Sequence, residues 1–159
     1  MKVSRKKTRR HLVQKLYSRI YSQCDDALFD AAFFEWRFDF EPDREYINEM
    51  LSLIVEKQHD ILWIIKLYAP KFDLETMLKT NILAIAIAVT EMLWLKEEIP
   101  AKVSINEAID LSKYYGDENS KNIVNNLYIK EVMNHILTNI KNGSNISDAF
   151  EKSGIFDNL

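Results

Sequence analysis

The chain has 159 residues, 21 basic and 24 acidic, a formal net charge of −3, three glycines, three prolines and one cysteine. That length favours one domain with a substantial core, and so few turn formers favour long elements and an all-helical fold. A lone Cys24 excludes an internal disulfide and fits a reducing cytoplasm, and the basic N-terminus leads into an amphipathic pattern with no signal peptide's continuous apolar run.

The first predicted helix begins between Ser4 and Thr8 and runs to about Gln23. Leu12, Val13, Leu16, Tyr17, Ile20, Tyr21 and Cys24 recur at helical spacing. Core packing is the ordinary reading of Tyr17 and Tyr21 and is the one expected for Tyr21, while Arg5, Lys6, Arg9 and Arg10 precede or begin the stripe and can face solvent. Residues 1–24 hold eight basic residues and no acid, leaving 13 basic against 24 acidic residues for the rest. A basic arm on an acidic body points to a polyanion partner at one end.

Residues 25–45 hold eight acids and six aromatics. Phe29, Phe33, Trp36 and Phe40 fit one helix face, so the expectation is a short helix and then an irregular segment to Pro42. Its aromatics suit a core, and its acids would repel RNA. Asp43 can cap a long helix reaching about Tyr68, which the polar run Glu56–Asp60 can bend or break. Asp73 is read as capping the start of a central helix.

That central helix, Leu78 to Leu95, organises the rest. Every residue from Ile82 to Val89 is apolar, with Ala84, Ala86 and Ala88 alternating with branched residues. Alternation permits a strand, but the apolar run continues through Trp94 without Gly or Pro, and a helix apolar all round is a buried one. A membrane span needs about 20 apolar residues, and Lys79, Asn81 and Glu91 interrupt this one. After a loop at Lys96–Lys102, Ser104-Ile-Asn-Glu107 reads as a capping box. The helix it opens ends at Tyr115-Gly116, where Gly can take a left-handed cap. Asp117 caps the next helix, with a stripe from Ile123 to Ile140; Gly143 stops it, and Asn145-Ile-Ser-Asp148 can cap a last short helix.

Catalytic and metal chemistry finds little support. Glu56-Lys-Gln-His59 has the spacing used in helical di-iron sites, but it lacks a matching second copy, since Glu131 and His135 are one residue too far apart. Cys24 stands beside Asp25 and Asp26, whose charge disfavours a thiolate. There is no phosphate-binding glycine loop and no nucleophile-elbow motif, so no enzyme, metal or cofactor is expected.

Ile99 to Gly116, IPAKVSINEAIDLSKYYG, resembles the NusB family of transcription antitermination factors, which carries a pattern close to IPxKVAINEAVELAKKYG there. Arg5 to Ser18, RKKTRRHLVQKLYS, is similar to the family's Arg-rich first helix, and Ile85 to Met92, IAIAVTEM, to its LRLAxYEL. The resemblance implies an all-α bundle of about seven helices in two packed subdomains. Residues 1–142 would form the RNA-binding domain and 143–159 a short helix and tail. It implies binding of boxA-type single-stranded RNA as a heterodimer with ribosomal protein NusE, in RNA polymerase antitermination complexes that support rRNA transcription. It places RNA contacts on Arg5, Lys6, Lys7, Arg9 and Tyr17, and on Asn119, Ser120 and Lys121. Departures are Asn119 for a usual Asp, Asn126 for a Gly, Ala86 for an Arg and Thr90 for a Tyr. Asn81 stands where many members have a Glu on the NusE-facing side.

Elementary physics points the same way. Cations at an accessible helix start release phosphate counterions, and a neighbouring tyrosine can stack on an unpaired base. Two alternatives belong to other classes. One is the NusB-like domain of an rRNA cytosine methyltransferase, expected to need a catalytic domain beyond Leu159. The other is a helical scaffold that binds protein alone, without salt-sensitive RNA affinity. The first-turn Asn119 is expected to favour RNA over an Asp, because free backbone N–H groups at a helix start attract phosphate.

Overall fold

The structure is a computed structural model that describes residues 3–22, 29, 40–68, 73–117 and 119–120. Among these residues the fold is all-α, with five helices and no strand beyond one isolated bridge between Val3 and Glu41. The expected helices within 25–40, after Asp117 and after Asn145, and the boundary at 142, lie outside the described residues.

Helix α1, Arg5–Ser22, starts where sequence reading places it. The Ser4 carbonyl accepts from the Thr8 N–H at 2.8 Å, and the Thr8 hydroxyl donates to the same oxygen at 2.9 Å. Helix α2, Arg44–Glu56, is capped by Asp43, whose Oδ1 accepts from the Tyr46 N–H at 3.0 Å. The expected long helix breaks at Lys57, and α3 spans Gln58–Tyr68. The break falls in the polar run because no apolar residue there holds the chain against the core.

Asp73 does not cap the central helix. Its carboxylate accepts from the Glu75 N–H at 3.0 Å and closes a separate turn. Helix α4, Lys79–Leu93, follows Leu78 with no side-chain cap, and its residues 83–91 are all buried. It packs against all four other described helices, so there is no solvent side for a polar stripe. Burial offsets the missing cap and the β-branched residues' modest helix propensity.

Helix α5, Ala101–Tyr115, begins three residues before the expected capping box. Ser104 is interior and buried, and its hydroxyl is engaged elsewhere. The helix ends at Tyr115 as expected, but Gly116 is extended (φ −97°, ψ −172°) and not left-handed. Glycine is required there by space. A Cβ would collide with the Ser120 side chain and the Ser112 carbonyl oxygen.

The core joins Leu12, Val13 and Leu16 of α1 to Met50 and Ile54 of α2, Ile61, Ile64 and Ile65 of α3, the run of α4, and Ala108 and Leu111 of α5. Phe29 and Phe40, the two described aromatics of the acidic segment, are also buried, in agreement with the reading of its aromatics as core.

Candidate nucleic-acid interface

The inner side of α1 is held by a buried charge. Glu91 of α4 has a fully buried side chain, and Arg9 leaves only 5% of its own exposed. Glu91 Oε1 accepts from Arg9 Nε at 2.7 Å and from the Tyr46 hydroxyl at 2.5 Å, while Oε2 accepts from the Ser104 hydroxyl at 2.6 Å. Four helices therefore meet on one carboxylate. Burial works against the Arg9 charge, but the hydrogen bond and charge of Glu91 prevail and raise the guanidinium pKa above its ordinary value. Burial first, and then Glu91, push the Tyr46 hydroxyl well above the usual phenol range.

Arg9 therefore leaves the expected RNA face. It occupies the register of Leu12, Val13 and Leu16, and its guanidinium is spent inside the protein. Arg5 also turns toward the body: one amino group contacts Asp43 and Glu97, each at 2.8 Å, and its guanidinium lies 4.3 Å from the centre of the Tyr46 ring.

The opposite side of α1 carries Lys6, Arg10, Gln14, Tyr17 and Tyr21, spaced by four, four, three and four residues and so aligned on one helical face. Lys6 is half exposed and pairs with Asp110 at 2.6 Å; that hydrogen bond holds the Asp110 carboxyl below its ordinary pKa. Arg10 lies 4.0 Å from the centre of the Tyr114 ring. Gln14 donates to the Tyr115 hydroxyl at 2.9 Å, and that hydroxyl donates to the Arg10 carbonyl at 3.1 Å. Burial raises the Tyr115 pKa to about 12. Lys7, to one side of this stripe, lies 5.4 Å from the Phe40 ring centre.

Tyr17 and Tyr21 do not pack in the core. They are 40% and 61% exposed, with ring centroids 4.5 Å apart. Their register places them across the helix from Leu12 and Leu16. The run of apolar and aromatic residues in the sequence merges the two faces into one broad stripe, which hides this division.

At the far end of α5, Asp117 accepts from the N–H groups of Asn119 at 3.1 Å and Ser120 at 2.8 Å, and from the Ser120 hydroxyl at 2.8 Å. The carboxylate makes the side-chain bonds of a cap, and these bonds, those of Ser120 foremost, hold it below its ordinary pKa. Ser120 is fully buried, and its hydroxyl accepts from Asn81 Nδ2 at 2.9 Å. Ser120 is therefore an internal anchor and not a surface contact, and Asn81 faces it from inside the core, not from a partner-facing side. Asn119 is exposed, but Asp117 already occupies its N–H, so the expected phosphate cradle is filled by a carboxylate. Lys121 lies outside the described residues.

Sequence reading did not single out Arg10, which the structure sets in line with Lys6 and Tyr17, or Glu91 as the core anchor. Each had a signal: Arg10 lies four residues after Lys6 and seven before Tyr17, and Glu91 is the one acid of α4, just after its apolar run. Among the described residues no helix is long and apolar enough to cross a membrane.

The chain matches the NusB family model over residues 6–127. A transcription antitermination protein NusB from Alkaliphilus oremlandii is 34% identical over 92 residues, 58% of this chain and 66% of that protein. Namesakes from Lachnoclostridium phytofermentans and Halothermothrix orenii are 29% and 28% identical, covering 82% and 83% of this chain and 99% and 98% of theirs. The chain thus spans just under two thirds of the first relative and nearly all of the other two. With the match extending from the basic helix α1 through the buried α4 to beyond the Asp117 corner, the chain belongs to the NusB family of transcription antitermination proteins.

Proposed function

We propose that this protein is a cytoplasmic, non-enzymatic antitermination factor that binds boxA-type single-stranded RNA together with ribosomal protein NusE and so supports rRNA transcription. The observation that carries the reading is the outward stripe of α1, which sets Lys6 and Arg10 in line with exposed Tyr17. A phosphate competes with Asp110 for Lys6, and Lys7 adds charge at the same end. Tyr17 offers an aromatic face to an unpaired base. Arg9 acts through position: by holding Glu91 it fixes α1 against α2, α4 and α5, so that the outward stripe keeps its alignment. Arg5 braces the start of α1, and Ser120 braces the corner that presents Asn119. Asn119 meets RNA through its side chain, where an Asp would add a second negative charge beside Asp117. NusE and the wider transcription complex come to this chain from its family.

The test is titration of labelled boxA-type RNA at two salt concentrations, with and without NusE. Salt-sensitive binding that NusE strengthens supports the reading; salt-insensitive or absent binding under both conditions overturns it.

A further inference from the structure

The outward face of α1 and the adjoining end of α5 together hold more aromatic surface than one stacking position requires. Tyr21 is 61% exposed and Tyr114 57% exposed, and neither contributes to the core. Both are nevertheless held in place. Tyr21 lies against Tyr17 with their ring centres 4.5 Å apart. The Arg10 guanidinium lies 4.0 Å from the centre of the Tyr114 ring, which stands T-shaped against Tyr115 with ring centres 4.8 Å apart and the ring planes 80° apart. Tyr115 is in turn tied to Gln14 and to the Arg10 carbonyl.

We propose that Tyr21, extending the Tyr17 ring on α1, and Tyr114 of α5, braced by Arg10, form two separate base-stacking positions for single-stranded RNA along the outer face of α1 and the adjoining end of α5. The inference rests on the RNA-binding reading and deepens it. Arg10 and Tyr17 are seven residues apart, about 10 Å along a helix axis. That is roughly three times the 3.4 Å rise of a stacked strand, so the two ring groups receive different nucleotides. The occupant is a nucleobase because the exposed rings continue a stripe that begins with the cations Lys6 and Arg10, and Arg10 itself lies against the Tyr114 ring. Aromatic stacking serves any base, and guanidinium planes stack on bases as well. Pre-ordered rings lose little freedom on binding.

The test uses the full chain with NusE and a fluorescein-labelled boxA-type RNA. Tyr21→Ala and Tyr114→Ala are each expected to weaken RNA binding about five-fold or more, with an unchanged salt slope, because every phosphate contact remains in place. Tyr21→Phe and Tyr114→Trp, which keep a ring, are expected to bind within about two-fold of the parent. On the parent protein, single abasic substitutions are expected to weaken binding at two non-adjacent positions. One position should become insensitive to Tyr21→Ala and the other to Tyr114→Ala. If both alanine variants keep parental affinity while Lys6→Ala lowers the salt slope, the stacking positions are refuted and the RNA-binding reading stands. If they lose NusE but keep RNA affinity, the face belongs to the protein partner and the proposal is overturned. A parent with no RNA affinity overturns both.

Discussion

Glu91 sets the energetics at the scale of single residues. Removing one partner of a buried ion pair strands the other without water, at a cost of about 3–5 kcal/mol. Arg9→Ala is therefore expected to destabilise the fold by that amount in urea denaturation, whereas Lys6→Ala, which breaks a solvent-screened pair with Asp110, costs less than about 1 kcal/mol. Two arginines adjacent in sequence, Arg9 and Arg10, thus serve opposite ends: one locks the helix and the other faces out. Helical register alone tells them apart, since Arg9 shares the face of Leu12 and Leu16. What register could not supply is the partner of Arg9, which stands 82 residues away. Tyr115 adds a pH dependence. A tyrosine in the unfolded chain ionises near pH 10, while in the fold Tyr115 keeps its proton to about 12. Below pH 10 both states hold the proton and the full stability is present. Between about 10 and 12 the unfolded chain releases a proton that the fold retains, so stability falls as pH rises. Thermal melts across that range are expected to show a shallower fall for Tyr115→Phe, with part of the slope remaining from Tyr46, whose pKa is raised in the same direction.

Helix α4 dominates at the scale of elements. Ala88 is buried within it, and every neighbouring helix presses on this element. Ala88→Leu is expected to overpack the core and destabilise it by about 1–3 kcal/mol, read by chemical denaturation; parental stability would mean that the site can yield. Gly116→Ala is expected to cost about the same, because the added Cβ drives Ser120 away from Asn81 and Asp117. Its Asn81→Ala partner mutation should then have a smaller additional effect than it has alone. The buried character of α4 was legible from an uninterrupted apolar run, and the start of α2 from Asp43 before an amphipathic stretch. The start of α5 was not. Ser104 and Glu107 have capping-box spacing, but Ser104 bonds to Glu91, and a long-range partner prevails over a local one. Gly116 ends its helix as expected, for a different reason: the contact it makes room for lies on the next segment of chain.

Across the whole molecule, the charge asymmetry of the sequence is partly cancelled by the fold. Arg5 meets Asp43 and Glu97, Lys6 meets Asp110, and Arg9 is internal. The eight basic residues of the first 24 therefore overstate the charge available to a polyanion, and RNA affinity is expected to rest on fewer phosphate contacts and more on the tyrosine stripe. The proposed function stands or falls with the outward face of α1 as the RNA-binding face. The decisive quantity is the dependence of log affinity on log salt for a boxA-type single strand, compared among the parent, Lys6→Ala and Lys66→Ala, the last altering an exposed lysine on α3. Removing one phosphate contact should reduce the slope by roughly 0.7. That reduction is expected for Lys6→Ala and none for Lys66→Ala. An unchanged slope for Lys6→Ala, or an equal reduction for both, would contradict the assignment of this face.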